Sequence, residues 1–338
     1  MKTKTGLLAA AAAFVALGAA GMAQAGTLTA IASYVDVNGG TTKVLDINNA
    51  GWMTGNIVAT DFTSQGFSRD AAGTYSLFSI GTAGSSTFGR AISNTNVVSG
   101  YATAPGGNIN TDTEFQRTNG GVVTALTNPN TGNPLHGIAQ GTNASGIQVG
   151  DYYSGGAGGT LSPVLGYELS GDGLTLTTLS GPAGATRAAA RGIADDGTVA
   201  GWAVIGGVAQ GFIYSSGGIY SLFSHPLAAG GNTYFEDINN NGIIAGDYQG
   251  ADTFFHAFEF DSHTNIFTDI VVAGADNVQA FGLNDAGDVV ITTDLQRGPN
   301  NFIYNNAGVP EPASWALMLV GFFGLGSALR RRRATLAV

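Results

Sequence analysis

The stretch DINNNGIIAGDY, residues 237–248, recurs in altered form six times along a chain of 338 residues. Each copy has an Asn/Asp-rich turn that closes on glycine or asparagine, the two residue types that best tolerate positive φ. Most copies carry a second glycine four places further on. A regular period of about 45 to 50 residues predicts a repeat architecture. The closing residues are Gly51, Asn96, Gly146, Gly197, Gly242 and Gly287, at spacings of 45, 50, 51, 45 and 45 residues.

A second pattern follows each turn, and GFIYSSGGIYSLF from Gly211 is an example of it. An aromatic-led run, a turn rich in Gly, Asn and Ser, and an alternating apolar run predict a β-hairpin. Two hairpins per repeat give four short strands, which is the content of one propeller blade. The sequence therefore predicts an all-β repeat array in the form of a six-bladed β-propeller, with a β-solenoid or an open β-sandwich as alternatives.

The sixth repeat ends one strand short of the others, while the strand-like residues 27–35 precede the first repeat. We therefore predict that residues 28–31 pair with residues 302–304. This pairing would close the ring and cover two sheet edges.

The N-terminus has the three parts of a secretory signal peptide. Lys2 and Lys4 supply positive charge, and residues 7–20 form an uncharged Ala-rich core. The small residues Ala23 and Ala25 then precede a cleavage site, so that the mature chain starts at Gly26. We expect residues 1–25 to be a signal peptide and residues 26–308 to form an extracellular repeat domain.

The C-terminal residues 309–338 contain a short motif, an apolar segment and a basic cluster. Residues 313–329 are uncharged and would reach about 25 Å as a helix, close to the thickness of a hydrocarbon core. By the positive-inside rule the basic cluster stays on the cytoplasmic side. The motif is Pro310, Glu311 and Pro312, and the basic cluster is Arg330, Arg331, Arg332 and Arg333.

This tail resembles the PEP-CTERM sorting signal of Gram-negative bacteria that export polysaccharide. The resemblance implies that an exosortase, a membrane transpeptidase-like enzyme, processes the chain at or near Pro310-Glu311-Pro312. The alternative is a permanent single-span anchor at residues 313–329, which predicts the same topology.

The repeats resemble the HAF family of extracellular repeats, which is named for a His-Ala-Phe signature. His256-Ala257-Phe258 carries the full signature in this chain, and the other repeats carry degenerate forms. The resemblance implies a surface protein and no particular activity.

Composition excludes several classes of function. The chain has no cysteine, so disulfides, thiolate metal sites and cysteine nucleophiles are excluded. Between residues 26 and 308 there are seven Lys and Arg against 22 Asp and Glu, a net charge of −15. This charge argues against nucleic acid and acidic membranes as partners and is compatible with cations, neutral glycans or solubility.

We predict no metal site and no cofactor. The turn that starts at Asp237 resembles the opening of a calcium loop, but Ala245 and Tyr248 stand where two ligands are needed. An Asn-rich turn closed by glycine explains the same residues. The four histidines have no metal-ligand spacing, and we interpret them as structural: His136, His225, His256 and His263.

Four aromatic residues shortly after the second glycine are candidate glycan contacts, because sugar rings stack on aromatic faces. They are Tyr101, Tyr152, Trp202 and Tyr248. The alternative is that they fill space between blades.

The sequence thus predicts an exported, non-enzymatic cell-surface or extracellular-matrix protein, with no catalytic residue. Signal peptidase and exosortase are the expected processing partners, with extracellular polysaccharide as a further partner. The chain would lie transiently in the inner membrane before it reaches the surface. The alternative is an extracellular propeller enzyme acting on polysaccharide, which would require acidic residues from different repeats to converge on a central channel.

Overall fold

The computed structural model describes residues 26–34, 40–107, 112–153, 164–294 and 300–305. These residues form six antiparallel sheets of four strands each. The first strands of neighbouring blades contact one another in a closed cycle, which places them around a central axis. The predicted six-bladed β-propeller is confirmed.

The strands of each blade are given from the axis outwards. Blade 1 consists of β2 (Thr41–Ile47), β3 (Met53–Val58), β4 (Ser64–Arg69) and β5 (Tyr75–Phe78). Blade 2 consists of β6 (Ser86–Ile92), β7 (Val98–Thr103), β8 (Thr113–Arg117) and β9 (Val123–Ala125). Blade 3 consists of β10 (Gly137–Thr142), β11 (Gln148–Tyr153), β12 (Val164–Leu169) and β13 (Leu176–Leu179). Blade 4 consists of β14 (Ala185–Ile193), β15 (Val199–Ile205), β16 (Val208–Tyr214) and β17 (Tyr220–Phe223). Blade 5 consists of β18 (Thr233–Ile238), β19 (Ile243–Gln249), β20 (Phe255–Asp261) and β21 (Ile266–Ile270). Blade 6 consists of β22 (Val278–Leu283), β23 (Asp288–Thr293), β24 (Asn301–Asn305) and the N-terminal β1 (Thr27–Ala30).

The N-terminal strand closes the ring. β1 pairs antiparallel with β24, with Leu28 opposite Tyr304 and Ala30 opposite Phe302. The ladder continues beyond β1, since Ile31 N donates to Asn301 O at 2.9 Å. The predicted pairing of residues 28–31 with residues 302–304 is therefore confirmed.

The turn that joins the first and second strands of each blade has the predicted backbone. All six closing residues have positive φ, from 61° at Asn96 to 85° at Gly197. In blade 5 the Asn239 side-chain oxygen accepts hydrogen bonds from the N–H groups of Asn241 and Ile243, both at 3.0 Å. This Asx-type turn explains why asparagine recurs at its start.

The same asparagine also joins neighbouring blades. Its Nδ2 group donates to a turn carbonyl of the next blade in four of the six steps around the described ring. The pairs are Asn48 to Ser93 (2.8 Å), Asn143 to Ala194 (3.3 Å), Asn239 to Asn284 (2.9 Å) and Asn284 to Asn48 (3.3 Å).

The second glycine of the repeat lies where strands meet too closely for a side chain. A Cβ atom on Gly201 would lie 2.1 Å from the Ala189 carbonyl oxygen and 2.8 Å from the Phe212 ring. The aromatic residue opposite this glycine is fully buried in five blades and fills the space between sheets. These residues are Phe67, Phe115, Tyr167, Phe212 and Phe258.

Two sets of turns share one face of the disc, which we call the turn face. The strands of each blade alternate in direction, so the first–second turn and the third–fourth turn lie at the same end. Contact between them confirms this, since Ser262 N donates to Gly242 O at 3.1 Å. The opposite face, which carries the other connections, is called the loop face.

Helix is nearly absent from the part of the chain described here, which contains one short 3-10 turn at Ala229–Gly231. No helix in these ranges is long and apolar enough to cross a membrane, and the predicted segment at residues 313–329 lies outside them.

Substitution of Gly242 by Val should destabilise the fold. The φ of this residue is 72°, and a β-branched side chain resists that conformation at a cost of about 1–3 kcal/mol. Asparagine is the matched control because it adds the same Cβ atom but tolerates positive φ, as Asn96 does. Thermal unfolding should rank Gly242→Asn above Gly242→Val, and equal melting temperatures would contradict this account of the turn.

Candidate functional site: the central channel

A β-bulge in the innermost strand of every blade brings one residue to the axis. The strand ladder skips this residue, so its side chain is turned out of the regular alternation. Five of the six residues line a cavity of about 20 Å³, all except Arg191. The six bulged residues are Leu45, Arg90, Gln140, Arg191, Glu236 and Phe281.

The charged groups on the axis have polar partners, and two of the three contacts join neighbouring blades. Arg90 Nε donates to Gln140 Oε1 at 2.9 Å, and Gln140 Nε2 donates to Asp151 Oδ1 at 3.0 Å. Arg191 Nε lies 3.6 Å from Glu236 Oε2, an ion pair longer than a hydrogen bond. Burial alone would lower the pKa of Arg191, but the charges of Glu236 and Asp151 outweigh it and raise the pKa.

A lysine and a third carboxyl group lie close to these pairs. Lys43 Nζ lies 4.7 Å from the centre of the Phe281 ring. Burial, and then the charge of Arg90, lower the pKa of Lys43. Burial raises the pKa of Asp247 well above its ordinary value, and the charge of Glu236 adds to this effect. The channel therefore disfavours isolated charge of either sign.

Two carboxyl groups, Asp46 and Asp237, lie where the channel opens on the turn face. Both line a cavity of about 60 Å³, large enough to hold water. Gly282 packs against Asp46, and a Cβ atom there would lie 2.1 Å from Asp46 Oδ1. Gly192 packs against Asp237 in the same way, at 2.2 Å.

Each of these carboxylates holds the backbone of two blades. One oxygen accepts the N–H of the following residue, and the other accepts an N–H of the next blade. For Asp46 the donors are Ile47 (2.7 Å) and Ile92 (2.7 Å), and for Asp237 they are Ile238 (2.8 Å) and Leu283 (3.0 Å).

Burial is the main influence on the pKa of both carboxyl groups. It raises the pKa of Asp237 to about 7, although the two backbone hydrogen bonds act in the opposite direction. Burial also raises the pKa of Asp46 well above its ordinary value, and the charge of Asp237 adds to this effect. Sequence patterns did not predict this pair.

A ring of amide and carboxylate side chains surrounds the opening. In five of the six steps around the ring, a turn N–H donates to a side-chain oxygen of the next blade at 2.8–2.9 Å. The sixth step leads to Ala144, which has no side-chain acceptor. The acceptors are Asn94, Asp195, Asn240, Asp285 and Asn49.

The protonation of Asp237 should make stability depend on pH. Its pKa is about 7 in the folded protein against 3.8 ordinarily, so the folded state binds the proton more tightly. The resulting stabilisation is present below about pH 4 and is lost as the pH rises through about 7. We expect the melting temperature to fall across this range, and Asp237→Asn to reduce the fall. Asp196→Asn, in an exposed part of a turn, is the control and should keep the wild-type profile; an identical profile for Asp237→Asn would contradict the prediction.

Two of the four predicted glycan contacts are buried. Trp202 is 8% exposed, with Arg187 and Arg191 over its ring at 5.3 and 5.5 Å. Tyr248 is 5% exposed and stacks on His225 at a centroid distance of 3.8 Å. Protein therefore occupies the ring faces that a sugar would need, as expected for residues that fill space.

The other two predicted contacts, Tyr101 and Tyr152, are half-buried. Tyr101 stacks on Phe88 at 4.7 Å, and the Tyr152 hydroxyl lies 2.9 Å from the Thr178 hydroxyl. Tyr101 directly follows its glycine, whereas Tyr152 comes one place later. Successive strand residues point to opposite faces, so the four aromatic residues do not form one surface.

The processing motifs lie almost entirely outside the described residues. This applies to Ala23, Ala25, the motif Pro310, Glu311 and Pro312, and the cluster Arg330, Arg331, Arg332 and Arg333. Gly26 is described, and it packs so closely on the Tyr304 ring that a Cβ atom would lie 2.2 Å from a ring carbon.

The histidines are held by separate local contacts. His225 Nε2 lies 3.1 Å from Asp269 Oδ1, and His256 Nε2 lies 3.1 Å from Asp252 Oδ1. His136 and His263 contact backbone carbonyls. Within the described ranges, no group of three or more His, Asp and Glu residues is arranged to hold a metal ion.

Similarity to one solved structure, TolB, supports the fold. TolB from Acinetobacter baumannii has a TM-score of 0.52 at 10% identity, over 75% of this chain and 63% of the TolB chain. Virginiamycin B lyase from Staphylococcus aureus has a TM-score of 0.48 at 12% identity, over 82% and 98% of the two chains. A gluconolactonase from Xanthomonas campestris has a TM-score of 0.48 at 14% identity, over 86% and 98%. This chain spans less than two thirds of the TolB chain, and at these identities the similarity concerns the fold alone. No protein-family model and no curated protein matches the sequence.

Proposed function

We propose that the protein is an exported, non-enzymatic surface or matrix propeller that associates with extracellular polysaccharide. The observation that supports this most is the engagement of the carboxyl groups along the described channel. Asp46 and Asp237 hold backbone N–H groups, Asp151 accepts from Gln140, and Glu236 pairs with Arg191. Groups used in this way hold strands and blades in place, and general acid–base catalysis needs a group free to exchange a proton with substrate.

The overall charge supports the same proposal. A body with a net charge of −15 repels acidic polymers and remains soluble among neutral ones. Tyr101 and Tyr152 are the remaining candidate contacts for sugar rings, since both residues are only partly buried. Repeated weak sites of this kind would add in avidity on a long polymer.

Co-sedimentation with the neutral extracellular polysaccharide of the producing bacterium tests this association. Tyr152→Ala should weaken binding, while Trp202→Phe, at a buried ring, should leave it unchanged. Equal binding by wild type and Tyr152→Ala would show that this tyrosine does not contact the polysaccharide. A failure of wild-type protein to sediment would contradict polysaccharide association altogether.

The alternative is an enzyme that cleaves polysaccharide, and the pair Asp46 and Asp237 is the observation that favours it. Two carboxyl groups in one cavity, one with a pKa of about 7, resemble the acid and base of a glycoside hydrolase. A reducing-end assay on the same polysaccharide separates the two functions. Release of ends by wild type that is lost in Asp237→Asn would establish the enzyme.

A further inference from the structure

Four exposed aliphatic residues recur where the third–fourth turns lead into the outer strands, and the one in blade 5 is the first residue of β21. Each directly follows the residue that closes its turn in the left-handed conformation: Gly121, Gly173, Gly218 and Asn265, with φ of 84°, 71°, 82° and 57°. We call the four residues the tip aliphatics: Val122, Leu174, Ile219 and Ile266, which are 64%, 73%, 68% and 58% exposed.

The loop face also exposes large apolar side chains, among them Phe62 at 87% and Val271 at 63%, but not at one turn position that recurs in successive blades. This recurrence distinguishes the tip aliphatics from scattered surface hydrophobics, which are normal and need no explanation. They occupy corresponding turns of four successive blades, blades 2 to 5. Corresponding points on the blades of a closed ring lie at similar height along its axis. The tip aliphatics therefore surround the turn face in roughly one plane.

Blade 6 has no such turn, because its third and outer strands come from opposite ends of the described chain. Its third strand ends at Asn305, and the paired outer strand starts at Thr27, so the two strands are not joined by a turn. The described residues therefore begin and end on the turn face. Residues 306–312 follow, and seven extended residues span at most roughly 25 Å. The uncharged residues 313–329 come directly after them.

From this geometry we infer that the turn face docks on a neutral lipid surface through the tip aliphatics while the C-terminal segment is inserted. The inference rests on the proposed export and membrane insertion of the tail. It adds that the body lies against the bilayer through its turn face.

The charges beside the tips select the kind of lipid. Asp70, Asp172 and Asp261 lie in the third–fourth turns of blades 1, 3 and 5, and each accepts a turn N–H, at 2.7, 3.0 and 2.8 Å. Arg69 and Arg117 lie beside the third–fourth turns of blades 1 and 2 and offset part of this charge. The exposed Asp195 and Asp196 of a first–second turn add negative charge on the same face, so anionic headgroups would be repelled overall. Zwitterionic headgroups such as phosphatidylethanolamine fit the surface better.

The absence of cysteine from the chain allows a direct test with single labelled cysteines. The full chain is reconstituted into vesicles of phosphatidylethanolamine and phosphatidylcholine that contain a nitroxide-labelled lipid. A fluorophore is placed on the turn face by Leu174→Cys or Ile219→Cys. Matched probes on the loop face come from Phe62→Cys and Leu227→Cys, at residues that are 87% and 54% exposed.

We expect the probes at positions 174 and 219 to lose most of their fluorescence to the lipid quencher, and those at 62 and 227 to keep it. Quenching on the loop face, or on neither face, overturns the inference. Quenching that depends on protein density and persists without the nitroxide lipid would identify a contact between two copies of this chain, and it would also overturn the inference.

Two controls separate docking from simple tethering. In the Leu174→Cys background, Ile219→Ser with Ile266→Ser should relieve the quenching, and unchanged quenching would mean that the tether alone holds the body there. Extraction with alkaline carbonate reports whether the tail is inserted. A chain that is released overturns both the proposed insertion and this inference, whereas an embedded chain with unquenched tips overturns the inference alone.

Discussion

A protein that lacks residues 26–31 is expected to unfold at a temperature lower by roughly 10 °C or more, and to aggregate on heating. The deletion removes the ladder between β1 and β24, in which each hydrogen bond contributes about 1 kcal/mol. It also exposes the β24 edge, and an unpaired edge strand is a template for association between chains. Thermal unfolding with light scattering measures both effects.

A pair of proline substitutions provides the matched control for this deletion. Ile31 N donates to Asn301 O, and in an antiparallel ladder the N–H groups of alternate residues point towards the partner strand. The N–H of Thr29 should therefore also donate to β24, whereas the N–H of Leu28 points away from it. Thr29→Pro should therefore destabilise the ring, and Leu28→Pro should be tolerated as at an ordinary sheet edge. Wild-type stability after deletion of residues 26–31 would show that the ring does not depend on closure by β1.

Substitution of Gly201 by Ala is expected to have the second largest effect. The added Cβ atom would lie 2.1 Å from a backbone oxygen of β14, which is fixed by the sheet and has no free rotation to relieve the clash. We expect a loss of roughly 3 kcal/mol or more, at the upper end of overpacking costs.

The control for this substitution is Gly206→Ala in the neighbouring turn. Gly206 has a φ of 60° and no atom within 4 Å of an added Cβ, so alanine adds backbone strain of only about 1–2 kcal/mol. Denaturant unfolding should therefore give Gly201→Ala a much lower free energy of unfolding than Gly206→Ala. The reverse order would mean that the second glycine of the repeat is not required by close packing.

The fold could be predicted because the constraints on the backbone repeat in the sequence. Gly242 and its counterparts need positive φ, and Gly201 and its counterparts need close approach, so both positions recur with a regular period. The closing strand was found from a missing element, since the sixth repeat lacks a strand and residues 27–30 have no other partner. These features depend on local geometry, which sequence records directly.

The residues that line the channel could not be predicted, because they occupy equivalent positions in the blades but belong to chemically unlike residue types. Leu45, Arg90 and Glu236 occupy equivalent bulges in three blades, and nothing in their composition marks them as equivalent. A bulge also shifts the alternation of side chains by one, which removes the period that would have indicated an axial position. One sequence feature could have located the bulged residues, because each of them lies a few residues before the asparagine-rich turn.

The sequence also did not predict which faces of the sheets the candidate glycan contacts point to. Tyr101 and Tyr152 were grouped by their nearness to a glycine, but they differ by one place along the strand. One place is enough to turn a side chain to the opposite face of a sheet. Burial then separates Trp202 and Tyr248 from the other two, and burial depends on neighbouring blades that a single repeat does not describe.

The most direct test of the proposed function is the intact mass of the protein recovered from the surface of the producing bacterium, compared with cells that lack the sorting enzyme. We expect a chain that starts at Gly26 and ends at or near Pro310-Glu311-Pro312 in normal cells, and a longer chain held in the inner membrane without the enzyme. Recovery of the chain through Val338 in the inner membrane of normal cells would contradict the account.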